Sequence, residues 1–313
     1  MSLRIGIMIG SSRLFGGAKD LALNIIHTIL QSPHKLVVVF AEPNDSVLSY
    51  SPLRQHGIPT VSLPDSLYGN YHEIRRKTTE LRFTNDLDCL KRIPFDLGIS
   101  FYTGWLPCSV IDIPRFRFIN IHPAPLPILT GYEAERFHVL TDRRKSWGTI
   151  HYITEKLDTG NILARGDVVE LPETMTPMTV YEQLIGNCLP VFRRVLDDFA
   201  SGKPMPGEPQ DETLRTYANH KDAVRESVIH WDADTNRKLD CRFRAYCTAN
   251  DGMILRGKID GQLCDISDIM LLSNFQTCSS GQRIGTYQQP GPFYNAPIMK
   301  TLEGAAVVKI LKN

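Results

Sequence analysis

The sequence lacks the features that mark several large classes of protein. Its 313 residues carry a formal net charge of +1, which provides no general attraction to nucleic acid or to anionic membranes. No stretch approaches the ~20 apolar residues of a membrane span. The N-terminal run also lacks the apolar core and cleavage site of a signal peptide. We therefore expect no membrane partner and a cytoplasmic location.

Cysteine is sparse and irregularly spaced. The chain has 7 cysteines, an odd number, and none of them forms a C-x-x-C pair. This pattern favours reduced thiols over a disulfide framework or a zinc site. The histidines are equally scattered, so we expect no metal ion.

A standard nucleotide-binding fingerprint is also missing. The loop at 10–17 reads GSSRLFGG and follows an apolar run, but its spacing fits neither G-x-G-x-x-G nor a P-loop. A conformational role for these glycines is favoured. A nucleotide-binding or regulatory module that uses this loop stays open as an alternative.

The N-terminal two thirds alternate between strand and helix patterns. Apolar runs fit for buried parallel strands occur at 3–9, 35–40, 58–63 and 95–101. Helical patterns follow the first run, cover 71–90 and 131–141, and are clearest at 178–201. Such alternation predicts an α/β domain built on a mostly parallel, Rossmann-like sheet.

One stretch, FRFINIHPAPLP at 116–127, combines a strand pattern with polar residues at its end. Asn120 and His122 are two apart, so they project from the same face of a strand. Catalytic groups in open α/β sheets tend to lie beyond the carboxyl ends of strands. A carboxamide beside an imidazole can stabilise an oxyanion and move a proton at neutral pH.

A second block follows after a helical segment. Residues 148–163 read GTIHYITEKLDTGNIL, which predicts two strands joined by a turn that carries Asp158. Together, N-I-H-P-x-P-L-P-x-x-x-G and G-T-I-H-Y-I-x-x-x-L-D-T-G-x-I-L resemble the folate-dependent formyltransferase family. This family includes the glycinamide ribonucleotide, methionyl-tRNA and amino-sugar N-formyltransferases.

The resemblance implies a function and a site. It implies transfer of a formyl group from 10-formyltetrahydrofolate, with Asn120, His122 and Asp158 as the catalytic trio and His151 as a second-rank candidate for lining the pocket. The folate-binding residues that it implies lie in two loops and are Tyr102, Gly104, Trp105, Leu106, Pro107, Ala124, Pro125, Leu126 and Pro127. The second loop departs from the usual Ser-Leu-Leu-Pro of the family.

The C-terminal third has a different character. Residues 203–211, KPMPGEPQD, read as a linker, and short strand patterns follow at 252–259, 262–270 and 305–311. We expect a formyltransferase catalytic domain at 1–205 and a small β-rich domain, an OB-like barrel, at 206–313. Residues 229–231 and 242–245 resemble the opening of the C-terminal domain of methionyl-tRNA formyltransferases.

The acceptor amine is a separate question. The tRNA enzymes usually carry a basic insertion after the second strand, whereas residues 41–63 contain a single Arg or Lys, Arg54. From 207 to 313 there are 13 Lys and Arg and 13 Asp and Glu, so this region is neutral. We expect a small acceptor, foremost a nucleotide-linked amino sugar. Methionyl-tRNA, an amino-acid or peptide amine, and hydrolysis of the folate by water remain alternatives, and so does a homodimer.

Overall fold

The computed structural model describes residues 1–10, 18–41, 46–63, 88–101, 106–247, 252–272, 282–286, 288–293, 296–303 and 305–311. Contacts divide the chain into two compact units. The first holds Met1–Gly131, Lys145–Glu170 and Tyr181–Tyr217, and the second holds Tyr132–Arg144, Leu171–Val180 and Ala218–Asn313. The predicted domain boundary at 205/206 stays a prediction. Contacts group residues 206–217 with the first unit.

The first unit is built on a seven-stranded sheet with the order β3-β2-β1-β4-β5-β7-β8. These strands are β1 (Arg4–Ile9), β2 (Lys35–Ala41), β3 (Thr60–Ser62), β4 (Leu97–Phe101), β5 (Phe118–His122), β7 (Thr149–Tyr152) and β8 (Ile162–Arg165). Pairing is parallel from β3 to β5 and antiparallel at β7 and β8. The prediction of an α/β domain on a mostly parallel sheet is confirmed.

Helices of the first unit connect these strands. They are α1 (Ala18–Leu30), α2 (Ser51–Gln55), α3 (Asp88–Lys91) and α4 (Cys108–Ile111), together with α6 (Pro177–Ala200) from Tyr181 onward. The helix predicted at 71–90 and the loop at 10–17 lie largely outside the described residues. Strand β8 ends at Arg165, and a short β9 (Val169–Glu170) pairs with β6 (Lys145–Ser146).

The core of this sheet explains the apolar runs of the sequence. All five residues of β4 are buried, as expected for a strand covered on both faces. Gly98 is required where β4 meets β5, since a Cβ there would stand 2.4 Å from the Phe118 ring. The Phe118 ring thereby packs closely against Gly98 of β4, which helps to fix the position of the strand that carries Asn120 and His122.

The second unit is β-rich, as predicted. Strands β10 (Leu255–Ile259), β11 (Gln262–Leu272), β12 (Arg283–Thr286), β13 (Pro297–Lys300) and β14 (Ala305–Ile310) form an antiparallel sheet with the order β10-β11-β14-β13-β12. Among the described strands the sheet is open, with β10 and β12 at its two edges, so a closed OB-like barrel stays a prediction.

The second unit also contains helices. Helix α5 (Ala134–Leu140) falls within the helix predicted at 131–141, whereas the strand-only prediction after residue 206 missed α7 (His220–Glu226) and α8 (Asn236–Cys247). In α8, Arg242 and Arg244 are buried. The charged sequence of this helix therefore does not indicate which of its faces packs against the interior. Across the part of the chain that the structure describes, no helix is long and apolar enough to cross a bilayer.

Candidate active site

The end of β5 brings Asn120 and His122 to one face, as the strand period requires. The backbone of Asn120 pairs with Ser100 on the parallel side and with His151 on the antiparallel side. His122 is 5% exposed, and Asn120 is half-buried. Both side chains therefore project from a strand that is held on both edges.

The hydrogen bond of His122 defines its tautomer. Its Nε2 lies 3.0 Å from the carbonyl oxygen of Leu129, and a carbonyl can only accept, so Nε2 carries a hydrogen. The other ring nitrogen, Nδ1, lies 3.7 Å from Oδ2 of Asp158. In the neutral ring, Nδ1 is therefore the basic atom, and the imidazolium formed when it takes a proton faces a carboxylate.

Asp158 is placed by the turn that precedes β8. Its φ is 50°, a left-handed conformation that aspartate tolerates better than most residues. The backbone N–H of Gly131 donates to its Oδ2 at 2.9 Å, and the residue is 9% exposed. The predicted trio is thus assembled in space: two members come from one strand, and the third comes from a turn 36 residues beyond His122.

His151 joins this cluster from β7. Its Nδ1 lies 2.8 Å from the carbonyl oxygen of Tyr152 and therefore donates, which leaves Nε2 as an acceptor. Nε2 lies 3.3 Å from Nδ2 of Asn120 and 3.6 Å from Oδ1 of Asp158. Burial lowers the pKa of His151 to about 4, against an opposing effect of Asp158. The ring is therefore neutral at pH 7 and can receive a hydrogen from the Asn120 amide.

These contacts define what the cluster can do chemically. Because Nδ2 of Asn120 faces His151, the amide nitrogen, with two hydrogens, is oriented as a donor, and its second hydrogen can stabilise developing negative charge. His122 offers a basic nitrogen, and Asp158 stabilises the cation that forms on it. The cluster combines an oxyanion donor with a proton acceptor in a largely buried setting, where electrostatic effects are strong.

The residues predicted to bind folate are only partly visible. Tyr102, Gly104 and Trp105 lie outside the described residues. Leu106 is 1% exposed and belongs to a core cluster with Val110 and Phe118, and Pro107 is the residue that precedes α4.

The second predicted folate loop is described in full. Ala124, Pro125, Leu126 and Pro127 are all buried. Thr149 fixes this loop, because its hydroxyl donates to the carbonyl of Ala124 at 2.7 Å and accepts from the N–H of Leu126 at 3.3 Å. The loop is thus attached to the start of β7, and its contacts with a folate stay a prediction.

Two contributors to the site were not predicted from the sequence. The amide of Gln210 donates to the carbonyls of Asp158 and Gly160 at 2.8 and 2.7 Å. The guanidinium of Arg215 donates to Thr130 Oγ1 at 2.7 Å. Gln210 lies within the stretch read as a linker and Arg215 follows it, and the proline and polar residues there gave no sign of a contact. Among the described residues, no group of three or more His, Cys, Asp or Glu is arranged to hold a metal ion.

Comparison with known proteins assigns this architecture to a family. The family model described as formyl transferase matches residues 15–187, more than half of the 313 residues. The chain therefore belongs to the formyl transferase family, which confirms the resemblance seen in the sequence and the predicted enzyme class.

The individual matches carry different names. The methionyl-tRNA formyltransferase of Bacillus subtilis is 25% identical over 228 residues, which cover 70% of this chain and 66% of that protein. The fold resembles an N-formyltransferase from Helicobacter canadensis in complex with folinic acid and dTDP-3-aminofucose, with a TM-score of 0.61 and 16% identity over 99% of this chain and 100% of the other.

A third similar structure is HypX from Aquifex aeolicus in complex with tetrahydrofolic acid. It gives a TM-score of 0.59 at 14% identity and covers 98% of this chain. The chain spans 44% of HypX and slightly less than two thirds of the Bacillus subtilis enzyme. At these identities the two solved structures show a shared fold, while family membership rests on the family model.

Proposed function

We propose that the protein transfers a formyl group from 10-formyltetrahydrofolate to the primary amine of a small acceptor, and that the acceptor is an amino sugar carried on a nucleotide. Family membership supports formyl transfer. The observation that carries the proposal is the assembly of Asn120, His122 and Asp158, with His122 Nδ1 facing the Asp158 carboxylate at 3.7 Å. We expect the formyl carbon to lie beside Asn120 Nδ2 and His122 Nδ1.

The reaction assigns one task to each side chain. The acceptor nitrogen attacks the formyl carbon, a C–N bond forms, and the carbonyl electrons move onto oxygen. Asn120 stabilises this oxyanion, a contact worth about 3 kcal/mol in comparable sites. His122 takes the proton that the amine loses. The bond from the formyl carbon to N10 of the folate then breaks, the carbonyl re-forms, and N10 receives a proton.

Asp158 acts on this sequence through charge. It stabilises the His122 imidazolium that exists between the loss of the amine proton and the protonation of N10. Its carboxylate is kept in place by the Gly131 N–H. Positioning supplies most of the acceleration, because a neutral primary amine is already a competent nucleophile.

The charge distribution of the second unit supports a small acceptor. Binding to a phosphate backbone depends on cations that are not neutralised by nearby acids. Arginines across the second unit instead have a carboxylate within ion-pair distance. These pairs are Arg225–Asp222, Arg237–Asp142, Arg242–Asp234, Arg244–Asp240, Arg256–Asp265 and Arg283–Asp260.

Methionyl-tRNA is the second candidate, because the sequence relatives bear that name. An assay of folate product formation from 10-formyltetrahydrofolate separates the candidates. It compares no acceptor, initiator tRNA charged with methionine, and a panel of nucleotide-linked amino sugars. We expect turnover with a sugar amine. Turnover with tRNA alone would refute the small acceptor, turnover without any acceptor would indicate a hydrolase, and activity restricted to amino-acid or peptide amines would redirect the assignment.

Three variants test the catalytic roles. Asn120→Ala, His122→Ala and Asp158→Ala should each lower kcat by about 100-fold or more, given the usual cost of removing one such group, while the melting temperature changes little. Asn161→Ala is a matched control, because its amide donates to the Pro206 carbonyl on the exposed side of the same turn. Near-normal kcat in all three variants would refute the assignment.

A further inference from the structure

The 208–217 segment runs alongside both loops that complete the catalytic cluster. At its start, Glu208 exchanges two backbone hydrogen bonds with Ile162, at 2.7 and 2.8 Å. At its end, Thr130 N donates to the carbonyl of Thr216 at 2.9 Å, and Leu129 N donates to the Thr216 hydroxyl at 2.9 Å. The segment is thus paired with β8 at one end and with the loop after β5 at the other.

Gln210 connects this segment to the Asp158 turn. Both hydrogens of its amide nitrogen are used, one on the carbonyl of Asp158 and one on the carbonyl of Gly160. These two bonds join the 158–159 and 160–161 peptide groups, which lie on either side of the peptide between Thr159 and Gly160. Asp158 has a φ of 50°, and such a conformation persists only where surrounding contacts determine it. The Gln210 amide supplies contacts of this kind.

Arg215 connects the same turn to the other loop. Its side chain is 2% exposed. Its Nη1 donates to Thr130 Oγ1 at 2.7 Å and lies 3.5 Å from the carbonyl oxygen of Asp158. Its Nη2 donates to Oε1 of Gln210 at 3.0 Å, which fixes the orientation of the Gln210 amide, and Glu212 holds the guanidinium in a bidentate pair.

The two loops joined in this way carry the partners of both catalytic side chains. The loop after β5 supplies the Leu129 carbonyl that accepts from His122 and the Gly131 N–H that donates to Asp158. The turn before β8 supplies Asp158 itself. Their separation determines the distance between His122 Nδ1 and the Asp158 carboxylate, and the segment contacts both.

We propose that Gln210 and Arg215 are positioning residues, which act through the Asp158 turn to hold its carboxylate against His122 and the Gly131 N–H. This inference rests on the proposed catalytic role of Asp158. Neither residue lies within hydrogen-bond distance of the catalytic side chains themselves. Gln210 acts through the backbone of the turn, and the Arg215 charge also interacts with the Asp158 carboxylate. Arg165, whose guanidinium pairs with Glu208 on the exposed side of the segment, has no part in it.

The test uses Gln210→Glu, which keeps the shape of the side chain and its contact with Arg215 but removes both donors. Arg165→Ala is the control, because it removes a guanidinium of β8 that pairs with Glu208 of the segment without touching the Asp158 turn. Arg215→Lys is a second variant, which keeps the charge but loses the branched set of donors. Steady-state kinetics and amide exchange at Gly131 are measured on the full-length chain.

We expect Gln210→Glu to lower kcat by about tenfold or more, since small displacements of catalytic groups are costly, while the KM for the formyl donor changes less than about twofold. The Gly131 amide should exchange at least about tenfold faster, because its acceptor is no longer fixed. Arg165→Ala should leave both readouts at wild-type values, and Arg215→Lys should fall between them.

The Asp158→Asn background separates a positioning role from a merely structural one. If Gln210 acts through the carboxylate, Gln210→Glu should have less than about a twofold further effect on kcat there. An equal drop in both backgrounds, or an unchanged Gly131 amide in a folded variant, would overturn the inference. If Asp158→Asn alone kept wild-type kcat while the Gly131 amide still responded, the proposed catalytic role would fail and the positioning of the carboxylate would stand.

Discussion

Substitution of Gly160 by alanine tests how closely the turn that carries Asp158 approaches the sheet. A Cβ at position 160 would lie 1.9 Å from the carbonyl oxygen of Tyr152 and 2.6 Å from its carbonyl carbon. Since carbon and oxygen rarely approach below about 3.3 Å, one of the two backbones must move by about 1.4 Å. Tyr152 is fixed in β7, where it pairs with Ile119, so we expect the turn to move.

The displacement should affect the site more than the fold. Asp158 lies two residues before Gly160, and its bond from Gly131 N is 2.9 Å long, so a shift of this size breaks it. Misplacement of a catalytic group by about 1 Å can cost about 100-fold in rate, and we expect kcat to fall by about that factor. Overpacking should cost about 1–3 kcal/mol in the free energy of unfolding.

The assay compares folate product formation and urea denaturation for two glycine-to-alanine variants. Gly186, inside α6, is the matched control, because a Cβ there has nothing within 4 Å. Gly186→Ala should keep kcat and gain about 0.5–1 kcal/mol from better helix propensity. If Gly160→Ala retained wild-type kcat and stability, the close approach of the turn to Tyr152, and the reasoning built on it, would be refuted.

Three further predictions concern stability. Burial lowers the pKa of His151 from 6.5 to about 4, so between these pH values the unfolded chain binds a proton that the folded chain does not. This group should leave the free energy of unfolding unchanged above pH 6.5 and lower it by up to about 3 kcal/mol as the pH falls towards 4. In urea titrations at pH 7 and 5, His151→Gln should remove this loss. An unchanged difference in the free energy of unfolding between the two pH values would contradict the prediction. Arg242→Met should cost about 3–5 kcal/mol, because it leaves the buried Asp234 with the half-exposed Lys238 as its remaining ion-pair partner; a loss below about 1 kcal/mol by denaturation would argue against it. Asn219→Ala removes the cap of α7 and should cost about 1 kcal/mol, whereas Asn219→Ser should keep most of it.

The sequence alone could predict the features that depend on local periodicity. The strand that carries Asn120 and His122 alternates with period two, and its apolar residues identify the buried face. Strands β7 and β8 correspond to the two strands joined by a turn that the 148–163 pattern predicts, and their antiparallel pairing comes from the structure. Family resemblance added Asp158, which no local pattern could link to His122, since their contact depends on how the turn folds back onto the loop after β5.

The remaining features depend on contacts between distant residues. The Gln210 and Arg215 side chains satisfy backbone carbonyls of a turn about 50 residues earlier, and a stretch rich in proline and charge resembles a linker whether or not it makes such bonds. Helix α8 was missed for a related reason. Arg242 is 2% exposed, so a residue normally counted as a surface position belongs to the interior.

The position of β5 within the sheet has a consequence for how the protein responds to mild stress. Asn120 and His122 lie on a strand paired on both sides. Asp158 lies on a turn next to β8, the last strand in the sheet order, whose outer edge is paired by an isolated bridge between Ile162 and Glu208. Segments at a sheet margin open with lower free energy than interior strands. Partial opening would therefore remove the carboxylate while leaving the amide and imidazole in place. With the proposed role of Asp158, we expect such opening to lower kcat while nearly all the secondary structure is kept.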